Sequence, residues 1–175
     1  MKWNIDVTHS QAEFAIKHMM ISTVRGRFKT LTGFGESDAA GTLTTVSLDI
    51  DVASIDTNQQ QRDDHLRSAD FFDVANNPLA TFRSTAISQS GDDITITGHL
   101  TMKGVTKPVT LTGEYASPVK DPWGNQRAAV NVSATINRKD WGLEWNTALE
   151  TGGFLLSNDV KLAFEVQAVA EAAAA

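Results

Sequence analysis

Between Ile94 and Met102 the chain alternates strictly. Ile94, Ile96, Leu100 and Met102 are apolar, Gly98 shares their parity, and Thr95, Thr97, His99 and Thr101 fall between them. Successive side chains of a strand point to opposite faces, so this segment has one dry face and one wet face. Alternation or β-branched enrichment also marks residues 13–19, 24–31, 43–52, 80–87, 109–115, 128–137 and 159–169. Together they predict about eight strands. Gly91-Asp92-Asp93, Lys103-Gly104-Val105-Thr106-Lys107-Pro108 and Asp121-Pro122-Trp123-Gly124-Asn125 supply turn chemistry between consecutive segments, which makes them antiparallel neighbours. With so little helix, the dry faces must meet a second sheet or close into a barrel around their own interior.

The remaining composition excludes several functions. A chain of 175 residues with 41% hydrophobic and 21% charged residues suits one globular domain,, expected over residues 1–170. An alanine-rich tail, expected to fray, follows at 171–175,. The net charge of -6 argues against a nucleic-acid partner, which needs a basic field,. Without cysteine there is no disulfide framework, thiolate nucleophile or cysteine metal site,. The N-terminus, Met1-Lys2-Trp3-Asn4-Ile5-Asp6, never enters the apolar run of roughly 7–15 residues that a secretory signal needs,. A cytoplasmic location is the expectation, or a periplasmic one if the chain is a processed form.

One helix is predicted over residues 58–73, opened by a capping box at Thr57-Asn58-Gln59-Gln60,. Leu66, Ala69 and Phe72 form its apolar stripe, with Arg62, Asp63, Asp64 and Arg67 on the other face,. Taking the apolar parity of each strand as inward places Phe14, Ile16, Val24, Phe28, Val46, Leu48, Ile50 and Phe82 inside. Ile94, Ile96, Leu100, Met102, Val109, Leu111, Val130, Val132, Ile136, Leu162 and Phe164 join them. Gly26, Gly98, Gly113, Ala128 and Ala134 share that parity, and they either leave room for a ligand or mark bulges and barrel corners. His18 follows the same parity, as a polar group beside a cavity or as a buried histidine satisfied by backbone.

Catalytic chemistry finds little footing. His9, His18, His65 and His99 lack metalloprotease spacing, and Asp64 with His65 needs a further ligand from elsewhere,. Ser10 beside His9 and Ser54 near Asp56 lack a nucleophile elbow,. No metal and no cofactor are expected.

Trp3-Asn4-Ile5-Asp6 with His9-Ser10, Phe14-Ala15-Ile16-Lys17-His18 and Val24-Arg25-Gly26-Arg27-Phe28 form the first part of an ordered set of blocks. It continues through Ala53-Ser54-Ile55-Asp56-Thr57, the run from Arg62 to Asp73, the run from Gly98 to Thr106, and Asp121-Pro122-Trp123-Gly124. Arg138-Lys139-Asp140-Trp141-Gly142 and Leu156-Ser157-Asn158-Asp159-Val160 complete it. In that order these blocks resemble the YceI-like family of lipocalin-like proteins. The resemblance implies an all-β fold, an extended antiparallel lipocalin-like barrel of about eight strands with one short helix. It also implies a non-catalytic role, holding a polyisoprenoid or isoprenoid-quinone lipid, such as a polyprenyl phosphate or a quinone tail, inside the barrel.

The residues expected to line such a site are Phe14, Ile16, His18, Phe28, Leu48, Ile50, Phe72, Phe82, Ile96, Leu100, Met102, Leu111, Val132, Ile136 and Phe164. A homodimer and a transient membrane contact for ligand exchange belong to the same expectation. The competing reading is a structural or interaction module whose barrel is filled by its own side chains.

Overall fold

The computed structural model describes residues 1–172. Its strands, in chain order, are β1 (Lys2–Ile5), β2 (Gln11–His18), β3 (Ser22–Phe28), β4 (Leu31–Ser37), β5 (Leu43–Asp51) and β6 (Ile55–Asp56). The helix α1 (Gln60–Arg67) follows, and then β7 (Leu79–Ser90), β8 (Asp93–Met102), β9 (Val105–Lys120), β10 (Gln126–Asn137) and β11 (Leu156–Ala170). Eight of them, in the order β1-β4-β5-β7-β8-β9-β10-β11, close a ring through the β1–β11 pairing, and every pairing is antiparallel. Closure pairs each of these eight strands on both sides, which protects them from edge-to-edge aggregation,. The barrel is elongated, because β9 and β11 run for 16 and 15 residues.

β11 changes partner along its length. Ala168 to Ala170 pair with β1, whereas Leu156 to Glu165 pair with β2, which continues to β3 and the short β6. The wall therefore forks into a narrow end closed by β1 and a wide end lined by β2 and β3. Ser10 sits at the fork: its Oγ donates to Asp6 O at 2.7 Å and accepts from Gln167 N at 3.1 Å. One hydroxyl thus serves backbone groups left over where β11 passes from one partner to the other.

The parity read from residues 94–102 is present in β8, where Ile94, Ile96, Gly98, Leu100 and Met102 are buried and His99 is exposed. Turn chemistry is also as expected. Gly91-Asp92 connects the paired Ser90 and Asp93, and Lys103-Gly104, with φ of 48° and 75°, connects the paired Met102 and Val105. The second connection is shorter than the expected run to Pro108, since Val105 to Pro108 already belong to β9.

Other expectations need correction. The segment 24–31 is two strands, broken at Lys29-Thr30, and its last residue, Leu31, opens β4. β1 and β4 carry little pattern of their own, one being four residues long and the other interrupted by Gly33 and Gly35. A methyl at Gly33 would collide with Ser47 O of β5 and come within 2.9 Å of Ile5 Cδ1. That glycine is needed for close backbone approach.

The helix is half the expected length. Ser68 ends it, its Oγ donating to His65 O at 2.6 Å, so Ala69 and Phe72 lie beyond the last turn. Thr57 is not the cap: Gln59 accepts from Arg62 N, while Thr57 N donates to Asp63 at 2.9 Å. Asp63 is buried by that contact and leaves the solvent face assigned to it. Glu171, the first residue of the expected tail, donates its N–H to Lys2 O at 2.8 Å; residues 173–175 lie outside the described residues.

Candidate functional site

Two cavities of the barrel share no lining residue. The narrow end holds a void of about 70 Å³ among Trp3, Phe34, Leu48, Phe82, Ile96, Leu111, Val132 and Phe164. A dry void of that size is smaller than the roughly 150 Å³ that admits benzene in an engineered core. The wide end holds a cavity of about 500 Å³, within the roughly 300–1,000 Å³ range of small-molecule sites.

Between the two, Gly98 and Leu100 of β8 lie between Ile96, which faces the small void, and Met102, which faces the large one. Ile50, Leu100 and Val109 are buried and line neither cavity. All three belong to the buried core.

Each residue expected to line the site can now be placed. Phe14, Ile16, His18, Phe28, Phe72, Met102 and Ile136 border the wide cavity. Leu48, Phe82, Ile96, Leu111, Val132 and Phe164 border the small void instead, and Ile50 and Leu100 are buried without lining either. Parity identifies the inward face of a strand but not the level along its axis, which is why one inward set divides into three groups.

The inward glycines are not spare room. The ring of Phe14 lies over its cross-strand neighbour Gly26, and that of Phe82 covers Gly98. Gly98 also faces the bulge between Ser84 and Ala86, and Gly113 permits the close approach of Asn131 O. Of the two readings of these positions, bulges and close contacts account for the geometry.

Much of the wide cavity is built by residues without strand periodicity. Phe71 and Leu66 enter from α1 and its exit, and Leu143, Trp145 and Leu155 from the loop 142–155. The two sides meet at the mouth. His65 packs edge-on against Trp145 at 4.7 Å and Phe71 at 5.1 Å between ring centroids, while Phe28 bridges Phe14 and Phe72 at 5.8 and 6.0 Å. The only sequence signal for the loop was its apolar side chains in a polar stretch.

The polar residues at the cavity are His18, Gln59, Gln61, Arg62, His65 and Arg138; no carboxylate is among its lining residues. Arg62 donates to Thr57 Oγ1 and Thr57 O at 2.7 and 2.8 Å. Arg67 lies outside the lining, held by Asp64 at 3.1 Å and by backbone carbonyls. His65 Nε2 is 2.9 Å from Asp70, so the Asp64 and His65 pair considered for a metal is engaged elsewhere. Arg138, buried at 3% exposure, follows β10 and ties the loop down. Its Nε donates to Ser157 O and its Nη1 to Leu143 O and Trp145 O. Burial pushes its guanidinium pKa below the usual value,.

A family model described as the YceI-like domain matches residues 3–168. The chain belongs to the YceI-like family. Among its relatives, a UPF0312 protein of Pectobacterium atrosepticum is 40% identical over 169 residues, covering 96% of this chain and 85% of that one. Protein YceI of Escherichia coli O157:H7 is 42% identical over 139 residues, 78% of this chain and 72% of its own. Among solved structures, BcnA of Burkholderia cenocepacia aligns with a TM-score of 0.78 at 25% identity, over 93% of this chain and 98% of its own. A polyisoprenoid-binding domain from Saccharophagus degradans shares the fold with a TM-score of 0.70 at 19% identity, over 97% and 98% of the two chains.

Proposed function

We propose that this YceI-like barrel binds one long apolar lipid, of the isoprenoid class, in its wide cavity and sequesters or carries it without chemical change. The observation that carries the reading is the cavity of about 500 Å³, walled by Phe14, Ile16, Phe28, Phe72 and Leu162, beside which the void of about 70 Å³ at the other end is small. A barrel serving only as a structural module gains nothing from such a void, since every unfilled site forfeits packing contacts. The isoprenoid class is suggested by the fold shared with the Saccharophagus degradans domain and by the family resemblance.

The energetics are adequate. Burial of about twenty apolar carbons yields on the order of 16 kcal/mol at roughly 0.8 kcal/mol each, against an association cost of about 4–15 kcal/mol. A tail can therefore hold without a polar anchor. For exchange, the β2–β3 turn beside the mouth presents Met20 and Ile21 at 72% and 81% exposure, with Phe154 nearby in the loop. Such an apolar rim suits brief contact with a lipid surface.

Purification without detergent, organic extraction and mass spectrometry test the reading. We expect about one isoprenoid-tailed lipid per barrel. Protein that yields no lipid and takes up none when offered geranylgeraniol would count for the side-chain-filled module.

A further inference from the structure

The turn between β2 and β3 is made from residues that its backbone does not favour. Ile21 N donates to His18 O at 3.2 Å, and the two residues in between, Met19 and Met20, have φ of 53° and 62°. Positive φ at both central positions is the geometry that Asn-Gly supplies without strain, whereas a long side chain there carries a backbone cost. Burial does not offset that cost, since Met19, Met20 and Ile21 are all exposed. Met19 N donates to Leu155 O at 2.7 Å, and a methyl at Gly153 would meet Met20 Sδ. These contacts set the exposed Phe154 beside the same apolar tip.

Behind the tip the outer face of the sheet carries free cations. Lys161 of β11, Ala15 of β2 and Arg25 of β3 lie in one cross-strand row, and Lys17 stands in the next row toward the tip, opposite Thr23. All three cations are exposed and none joins an ion pair among the described residues. Glu13 and Asp56 stand across from Arg27, and Asp56 also holds Lys29 at 3.3 Å. Asp159 precedes Lys161 on β11. The chain as a whole has a net charge of -6, so an anionic surface repels most of it and attracts this face. A stable protein interface needs about 800 Å² from each partner, more than a three-residue tip offers. A bilayer needs only protruding apolar side chains with cations beside them.

We propose that this end of β2 and β3 docks on a bilayer carrying anionic head groups, with Met19, Met20, Ile21 and Phe154 entering its interface and Lys17, Arg25 and Lys161 lying against the head groups. This rests on the lipid-binding reading above and specifies the surface at which the lipid is exchanged. His18 and Leu155, the chain neighbours of Met19 and Phe154, line the wide cavity, so docking brings that cavity to the membrane. Glu144 and Glu150 belong to the loop 142–155, which leaves the sheet face to meet the anionic charge.

Flotation of the intact protein with vesicles of phosphatidylcholine, alone or with about one-third phosphatidylserine, tests the proposal. We expect at least about tenfold tighter binding to the anionic vesicles, weakened by added salt. Arg25→Gln with Lys161→Gln should reduce that preference by about fivefold for each charge removed. Met19→Asn with Met20→Gly installs the favoured turn, so the variant should melt at the same temperature as the wild type or higher while its flotation falls at least about tenfold. Equal binding to both compositions would overturn the proposal, as would a tip variant that floats like the wild type. Binding to neither would overturn it in favour of a protein acceptor. Uptake of geranylgeraniol from solution, measured on the same protein, reports the cavity separately. Uptake without flotation would overturn the docking surface and leave lipid binding intact, whereas flotation without uptake would overturn lipid binding and leave the docking surface standing.

Discussion

A methyl group at Gly26 would overlap the ring tip of Phe14 and come within 2.9 Å of Thr57 Cγ2. The wall of the wide cavity is thus shaped by a glycine that lets an aromatic ring lie flat on β3. Gly26→Ala should push that ring toward the cavity and destabilise the fold by about 1–3 kcal/mol, the usual cost of overpacking; urea denaturation measures it. Ser10 illustrates a different dependence. Removing its hydroxyl leaves Gln167 N without its 3.1 Å acceptor, so Ser10→Ala should cost about 1–3 kcal/mol if that donor stays dry. Amide exchange should quicken first at Gln167, where the fork opens. A uniform change across β11 would instead mean that the hydroxyl does not hold the fork.

The ends of the elements carry the electrostatics. Arg127, at the start of β10, donates to Asp6 just past β1 at 2.7 Å and to Asp121 in the β9–β10 turn at 2.8 Å. Hydrogen bonds from Thr8, Arg127 and His9 hold the Asp6 carboxyl far below its ordinary range, and Arg127 followed by Asn125 and Trp123 brings Asp121 down to about 2. Both folded-state values are depressed, so the unfolded chain binds protons first as pH falls. Stability from this clamp should be complete at neutral pH and decline below about pH 4. In thermal melts, Arg127→Gln should flatten that decline; an unchanged acid profile would remove the clamp from the account. Legibility also varied by element. β8 was readable because every residue contrasts with its neighbours, whereas β1 is too short and β4 too rich in glycine for a period to show. The helix looked long because Ala69 and Phe72 keep helical spacing, although Ser68 has already turned the chain. Leu143 and Trp145 were missed because an irregular loop has no period to read, and Arg138 because its burial depends on that loop's carbonyls.

At the scale of the whole molecule the barrel holds a wide chamber and a small void with no lining residue in common. Leu100 is buried on β8 between Ile96 of the small void and Met102 of the wide chamber. Leu100→Ala should cost about 2–5 kcal/mol and open space between the two, shifting the extracted lipids toward longer tails; an unchanged length distribution would show that the tail never reaches Leu100. The central claim is that the wide cavity, not the barrel surface, holds the lipid. Native mass spectrometry of the wild-type protein beside Val24→Trp, which places a large ring in the wide cavity from β3, tests it most directly. Provided that circular dichroism shows both proteins folded, the account predicts one lipid adduct on the wild type and its loss from the variant. The same adduct on both proteins, or none on the wild type even after incubation with geranylgeraniol or geranylgeranyl monophosphate, would contradict it.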